Sequence, residues 1–276
     1  MLALLVTGVC TMIMTACSTP KAVKNSEKPA LVLVAFGTSV DSARQVFDYI
    51  DQQARKRYSD YDLRWAFTSQ FIINKLKKQG VVTQNVEEVV ADLRKEGKTN
   101  VVFQSLHVVP GQEYKSVVDV DMAGLNVAFG DALMSSDADI AAVIKALSKD
   151  IDADQPTVVV AHGNDHHKHF NDQLVALAAV IEKQYPNLAV ASVEGLPGID
   201  SLQRIKKLSA KEGSVKFVPL MIVAGDHIMN DVMGDEEDSW KQIVMAQKTE
   251  SAKSLGWNDD ILAIYFTHMD KAIQSL

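Results

Sequence analysis

The chain has 276 residues, 47% hydrophobic and 23% charged, with a formal net charge of −7. That length can bury one or two sizeable cores, and the composition is that of an ordinary globular protein. An acidic balance without a basic tract argues against nucleic acid as a partner.

The first 17 residues, MLALLVTGVCTMIMTAC, are apolar through Met14 and too short to span a bilayer. They fit a secretory signal with a small residue before the cut. A cysteine directly after such a cut resembles a bacterial lipoprotein signal, with lipid on Cys17 and the membrane as a partner. An exported, periplasmic or membrane-anchored protein is expected. Residues 18–29, STPKAVKNSEKP, are polar and read as a linker. The only cysteines are Cys10 and Cys17, so no disulfide and no Cys-ligated metal is expected in the folded part.

From residue 30 the chain reads as a pattern met twice. ALVLVAFGTS (30–39) and TVVVAHGND (157–165) are apolar runs that end in glycine, as buried parallel strands do. Overlaying Gly37 on Gly163 sets Phe36 opposite His162, an offset of 126. DLRWAFTSQFI (62–72) then matches NLAVASVEGLPGI (187–199) at 125, which sets Ser69 opposite Glu194. VFQSLHVVPGQEY (102–114) matches KFVPLMIVAGDHI (216–228) at 114, which sets Glu113 opposite His227.

Helical patterns lie between these runs. DSARQVFDYIDQQARKRY follows Thr38 and Ser39, either of which is a candidate cap. The drop in offset leaves room for two short helices between the second and third strands of the first half, but only one in the second. FNDQLVALAAVIEKQY sets Leu174, Leu177, Val180 and Ile181 on one face. DDILAIYFTHMDKAI is a last helix that suits either half. Strand–helix–strand spacing predicts parallel sheets with right-handed crossovers. The expected fold is α/β: two similar halves, 30–150 and 151–276, each a parallel sheet flanked by helices, with a cleft between them.

Ligands of open parallel sheets bind beyond the carboxyl ends of the strands. In the second half those ends carry His162, Glu194 and His227. Two imidazoles and a carboxylate suit a divalent first-row metal and leave coordination positions open. The first half carries Phe36, Ser69 and Glu113 there, so one metal site per chain is expected. Glu113 and His107 are candidates for the opposite wall. Four of the seven histidines fall in residues 158–170; His166, His167 and His169 read as polar residues at a helix start. GDEEDSW (234–240) reads as an acidic loop with a helix cap.

The stretches VAFGTS, RWAFTSQFIINKL, QSLHVVPGQEY, AHGNDHH, VEGLPGID and PLMIVAGDHIMNDVMGDEEDSWK resemble the anaerobic sirohydrochlorin cobaltochelatases, class II chelatases, from about residue 31 to the C-terminus. That resemblance implies two α/β halves around a cleft and a tetrapyrrole substrate. It implies metal ligation by His162, Glu194 and His227, with His162 and His227 also catalytic. It also matches Glu113 to a family glutamate, although this chain reads GQEY where the family reads GDEY. The reaction implied is insertion of Co2+, or Fe2+, into sirohydrochlorin, without nucleotide or redox cofactor. A homo-oligomer is in keeping with it. The leader keeps a second reading open, an exported lipoprotein that binds haem or another tetrapyrrole in iron or haem uptake.

Overall fold

A computed structural model describes residues 28–276. The leader, Cys17 and nearly all of the linker lie outside the described residues.

The first sheet contains β1 (Ala30–Ala35), β2 (Asp62–Phe67), β3 (Asn100–Ser105) and β4 (Asn126–Gly130), all parallel, in the order β2-β1-β3-β4. The second contains β5 (Thr157–Gly163), β6 (Leu188–Glu194), β7 (Ser214–Pro219) and β8 (Lys248–Ser251), in the matching order β6-β5-β7-β8. The registers repeat the sequence offsets. Ala35 lies beside Phe67 as Ala161 lies beside Ser192, and Val34 lies beside Ser105 as Val160 lies beside Pro219.

The strands are apolar runs because both faces are covered. In β1, Leu31 and Leu33 face the core shared between the halves, and Ala30, Val32 and Val34 face the outer layer. The same shared core takes Val159, Ala161 and Val218 from the second sheet. The outer faces are covered separately: α3 (Val86–Lys95) supplies Val89, Val90 and Leu93 on the first sheet, and α7 (Leu202–Glu212) supplies Leu202 and Ile205 on the second.

α1 (Asp41–Arg57) follows β1, but neither Thr38 nor Ser39 caps it. The cap position is Val40, whose N–H donates to the Thr38 hydroxyl at 3.2 Å. Thr38 therefore shapes the approach to the helix and not its first turn. Two helices do separate β2 from β3: α2 (Gln70–Lys78), capped by Ser69, and α3, held by a reciprocal Asn85–Glu88 capping box. A short α4 (Gln112–Val118) follows β3, and α5 (Asp137–Leu147) follows β4. In α6 (Asp172–Gln184), Leu174, Leu177 and Ile181 are buried as expected, but Val180 is exposed. It lies beside a groove of about 300 Å³ that it shares with Ile144 and Ser148 of the α5 segment.

The last helix, α9 (Asp259–Ser275), returns to the first sheet. Its buried Tyr265 hydroxyl lies 3.0 Å from the Leu106 carbonyl and 3.2 Å from that of His107. Its buried His268 reaches the Asp131 carbonyl and the Asp139 carboxylate. Burial alone would raise the Asp139 carboxyl, but hydrogen bonds from Ser136 and His268 hold it below the ordinary value. Gly256, just before α9, packs where a Cβ would meet Val46 of α1 at 2.4 Å.

Both ends of the described chain lie at the amino edge of the first sheet. The Lys28 carbonyl accepts from Lys98 Nζ, and the Leu276 carbonyl from Asn126 Nδ2. No helix among the described residues is long and apolar enough to cross a membrane.

Candidate metal and tetrapyrrole site

The carboxyl ends of β5 and β6 interlock. Gly163 ends β5 with φ of 77°, and a Cβ there would fall 1.7 Å from the Glu194 carbonyl oxygen. Gly195, also at φ 77°, answers it: a Cβ would fall 2.5 Å from the Asn164 carbonyl oxygen. Only glycine fits either position. The turn after β5 is then pinned by Asn171, whose side chain is fully buried. Its Oδ1 accepts from the Asn164 N–H and its Nδ2 donates to the Asn164 carbonyl, both at 2.8 Å.

These constraints set His162 at the mouth of the strand. After β7, the chain passes through Gly225 into a π-turn, Ile228–Val232, anchored by buried Ile228 and Val232. His227 stands at the start of that turn. The His162 and His227 rings meet edge to face, with centroids 4.8 Å apart and planes at 86°. His162 Nδ1 is 2.9 Å from the Gly163 carbonyl, and His227 Nδ1 is 2.6 Å from Asp231 Oδ2. Both partners only accept, so each Nδ1 carries the proton it donates, and in the neutral ring Nε2 is the nitrogen that bears the lone pair.

Glu194 is half-buried, and its side chain has no hydrogen bond or ion pair among the described residues. In the register of β5 and β6 it stands beside Gly163 and not beside His162. Its carboxylate does not close on the imidazole pair: among the described residues, no three His, Cys, Asp or Glu groups are grouped to hold an ion.

The first half carries its own set of residues beyond its strands. Phe36 is exposed beyond β1, and Phe71, in the first turn of α2, is more so. Glu113 is half-buried in the first turn of α4, with no side-chain partner among the described residues. Ser69 and His107 are taken up locally. The buried Ser69 hydroxyl accepts from the Ile72 N–H as the α2 cap. His107 Nδ1 engages the Ser105 hydroxyl at 2.8 Å, and burial pushes its imidazole down to about 4.

The loops of the two halves come close at Gly225 and at Gly111. A Cβ on Gly225 would sit 3.4 Å from Thr38 Oγ1, and one on Gly111 would sit 3.7 Å from Phe170. Phe170 closes the histidine-rich turn, where His167 and His169 are exposed and packed around its ring. Leu196, Ile199 and Met229 add exposed apolar surface beyond β6 and β7. Residues 235–238 are exposed, and Ser239 caps the short helix α8 (Trp240–Val244).

Two contributors escaped the sequence reading. Asp231 lies four residues after His227, the spacing that brings side chains together on one helical turn; that turn was not expected after β7. Asn171 lies seven residues after Asn164, and nothing local marks it as a clamp.

Comparison with known proteins agrees with this architecture. The cobalt chelatase (CbiK) family profile matches residues 29–274. A sirohydrochlorin cobaltochelatase of Salmonella typhimurium is 31% identical over 258 residues, covering 89% of this chain and 97% of that protein. The sirohydrochlorin cobaltochelatase CbiKC of Nitratidesulfovibrio vulgaris is 27% identical over 265 residues, covering 90% and 92%. Among solved structures, SirB from Bacillus subtilis with Fe3+ superposes with a TM-score of 0.59 at 12% identity, over 90% of this chain and 97% of that one. CbiX, the terminal enzyme of siroheme biosynthesis in denitrifying bacteria, gives 0.52 at 12% identity, over 88% and 99%. These two share the fold. The profile, spanning nearly the whole described chain, places this protein in the CbiK cobalt chelatase family.

Proposed function

We infer that the chain inserts cobalt(II) into sirohydrochlorin, with His162 and His227 as the imidazole ligands that hold the incoming ion. The observation that carries the site is the ring pair with both Nδ1 atoms engaged. The two rings stand 4.8 Å apart between centroids, close enough for both to reach one ion. Glu194 joins them by turning its side chain, and its charge offsets that of the dication.

In the reaction, Co2+ exchanges protein and water ligands for four ring nitrogens, and two pyrrole N–H protons leave. His162, on releasing the ion, has a free Nε2 to accept one of these protons. Glu113, on the opposite wall, guides metal or protons. Phe36 and Phe71 on one side, with Leu196, Ile199 and Met229 on the other, offer apolar surface to the faces of a flat macrocycle. Fe2+ fits the same donors. A protein that merely held haem would need one axial imidazole; a close pair favours insertion. Export with lipid on Cys17 and a tether through residues 18–29 completes the reading.

The test follows tetrapyrrole absorbance with excess sirohydrochlorin and with cobalt and iron(II) in parallel. Many turnovers per chain are expected, falling about 100-fold or more in His162→Ala. A spectral change that stops at one equivalent would overturn insertion as the activity. For the anchor, palmitate labelling should vanish in Cys17→Ser; persistent labelling would rule Cys17 out.

A further inference from the structure

We propose that Asp231 is a positioning residue that makes His227 the anchoring metal ligand of the pair, an inference that rests on the site assignment above. The two imidazoles are held differently. His162 Nδ1 donates to a neutral backbone carbonyl, and His227 Nδ1 to a carboxylate oxygen at 2.6 Å. An anionic acceptor on the far nitrogen fixes the ring's tautomer and rotation and strengthens the near nitrogen as a donor. A carbonyl fixes the tautomer but supplies less of the second effect.

The π-turn is what makes this contact. Met233 N–H reaches back five residues to the Ile228 carbonyl, and Gly234 N–H closes on that of Asn230 at 3.0 Å. A Cβ on Gly234 would fall 2.1 Å from that oxygen, so the turn must end in glycine. Buried Ile228 and Val232 hold one side of it, and the other carries two i,i+4 contacts. Asn230 donates to Asp226 at 2.8 Å, and His227 to Asp231. The first ties the turn to itself; the second touches a ligand. Asp231 is therefore arranged to orient His227, and the pair divides its labour: His227 keeps the ion while His162 lets go of it.

The test is cobalt(II) binding to the full chain without tetrapyrrole, read from the ligand-field absorption of the bound ion and by titration calorimetry. Asp231→Ala should weaken cobalt binding about tenfold to a hundredfold. Asp231→Asn, which keeps an acceptor but not the charge, should recover part of the loss. Asp226→Ala, in the same turn but not touching an imidazole, should bind cobalt as the parent does, and circular dichroism should show all three folded. Parental affinity in Asp231→Ala, alongside a clear loss in His227→Ala, would overturn the role of Asp231 and leave the ligand assignment standing. Equal losses in Asp226→Ala and Asp231→Ala would reassign the effect to the turn and overturn it too. Parental affinity in His227→Ala would overturn both.

Discussion

The carbonyl oxygen of Glu194 occupies the space that any side chain at Gly163 would need. Gly163→Ala must therefore shift the end of β6 as well as strain its own backbone. Gly80 gives the comparison: its φ is 78°, but nothing lies within 4 Å of a Cβ there. Gly80→Ala should cost about 1 kcal/mol, the left-handed penalty alone. Gly163→Ala should cost on the order of 2–4 kcal/mol and, by moving His162 and Glu194 together, depress turnover about tenfold or more. Urea unfolding and the chelation assay on both variants check this; equal stability losses would contradict it.

Asn171 satisfies both backbone groups of Asn164 from a fully buried position. Asn171→Ala strands an N–H and a carbonyl, at about 1–3 kcal/mol. The local signature is the Asn164 amide, which should exchange its hydrogen much faster while the amides of β5 before His162 keep their protection. Uniform protection across the turn would count against the clamp.

His107 makes stability depend on acid. Burial holds its folded imidazole at about 4, whereas an unfolded histidine titrates near ~6.5. The fold thus favours the neutral ring. Its contribution is complete above about pH 6.5 and drains away as pH falls toward about 4, for a total of roughly 3 kcal/mol. Denaturant unfolding of the parent and His107→Gln at a series of pH values should give curves that converge as the solution is acidified. A parallel pair of curves would refute the assignment.

Tyr265 ties α9 to the end of β3 through a hydroxyl in reach of two carbonyls. Tyr265→Phe keeps the ring and removes the donor, which should cost about 1 kcal/mol in chemical denaturation. No measurable change would mean that the carbonyls find other partners.

The repeat was legible because continuous apolar strands of parallel sheets leave a strong mark. The three offsets read from Gly37, Ser69 and Glu113 against their counterparts reappear as strand registers. The approach of His162 to His227 followed from that overlay. What the sequence hid depends on tertiary choice. Val180 falls on the apolar stripe of α6 but lies beside the groove toward α5, so its side chain stays exposed. Ser69 and His107 were grouped with the cleft by position; the roles that position does not reveal are the α2 cap made by Ser69 and the bond between His107 and the Ser105 hydroxyl. Helix α9 has an apolar face that fits either sheet, and contact with the Leu106 and His107 carbonyls decides it.

Lys28 and Leu276, the two ends of the described residues, lie along the amino edge of the first sheet. The imidazole pair stands at the carboxyl edge of the second, where the loops of the halves meet. A strand of six residues separates the two edges of the first sheet by about 20 Å. Whatever precedes Lys28 therefore joins the molecule about one strand length away from the loops around the imidazole pair.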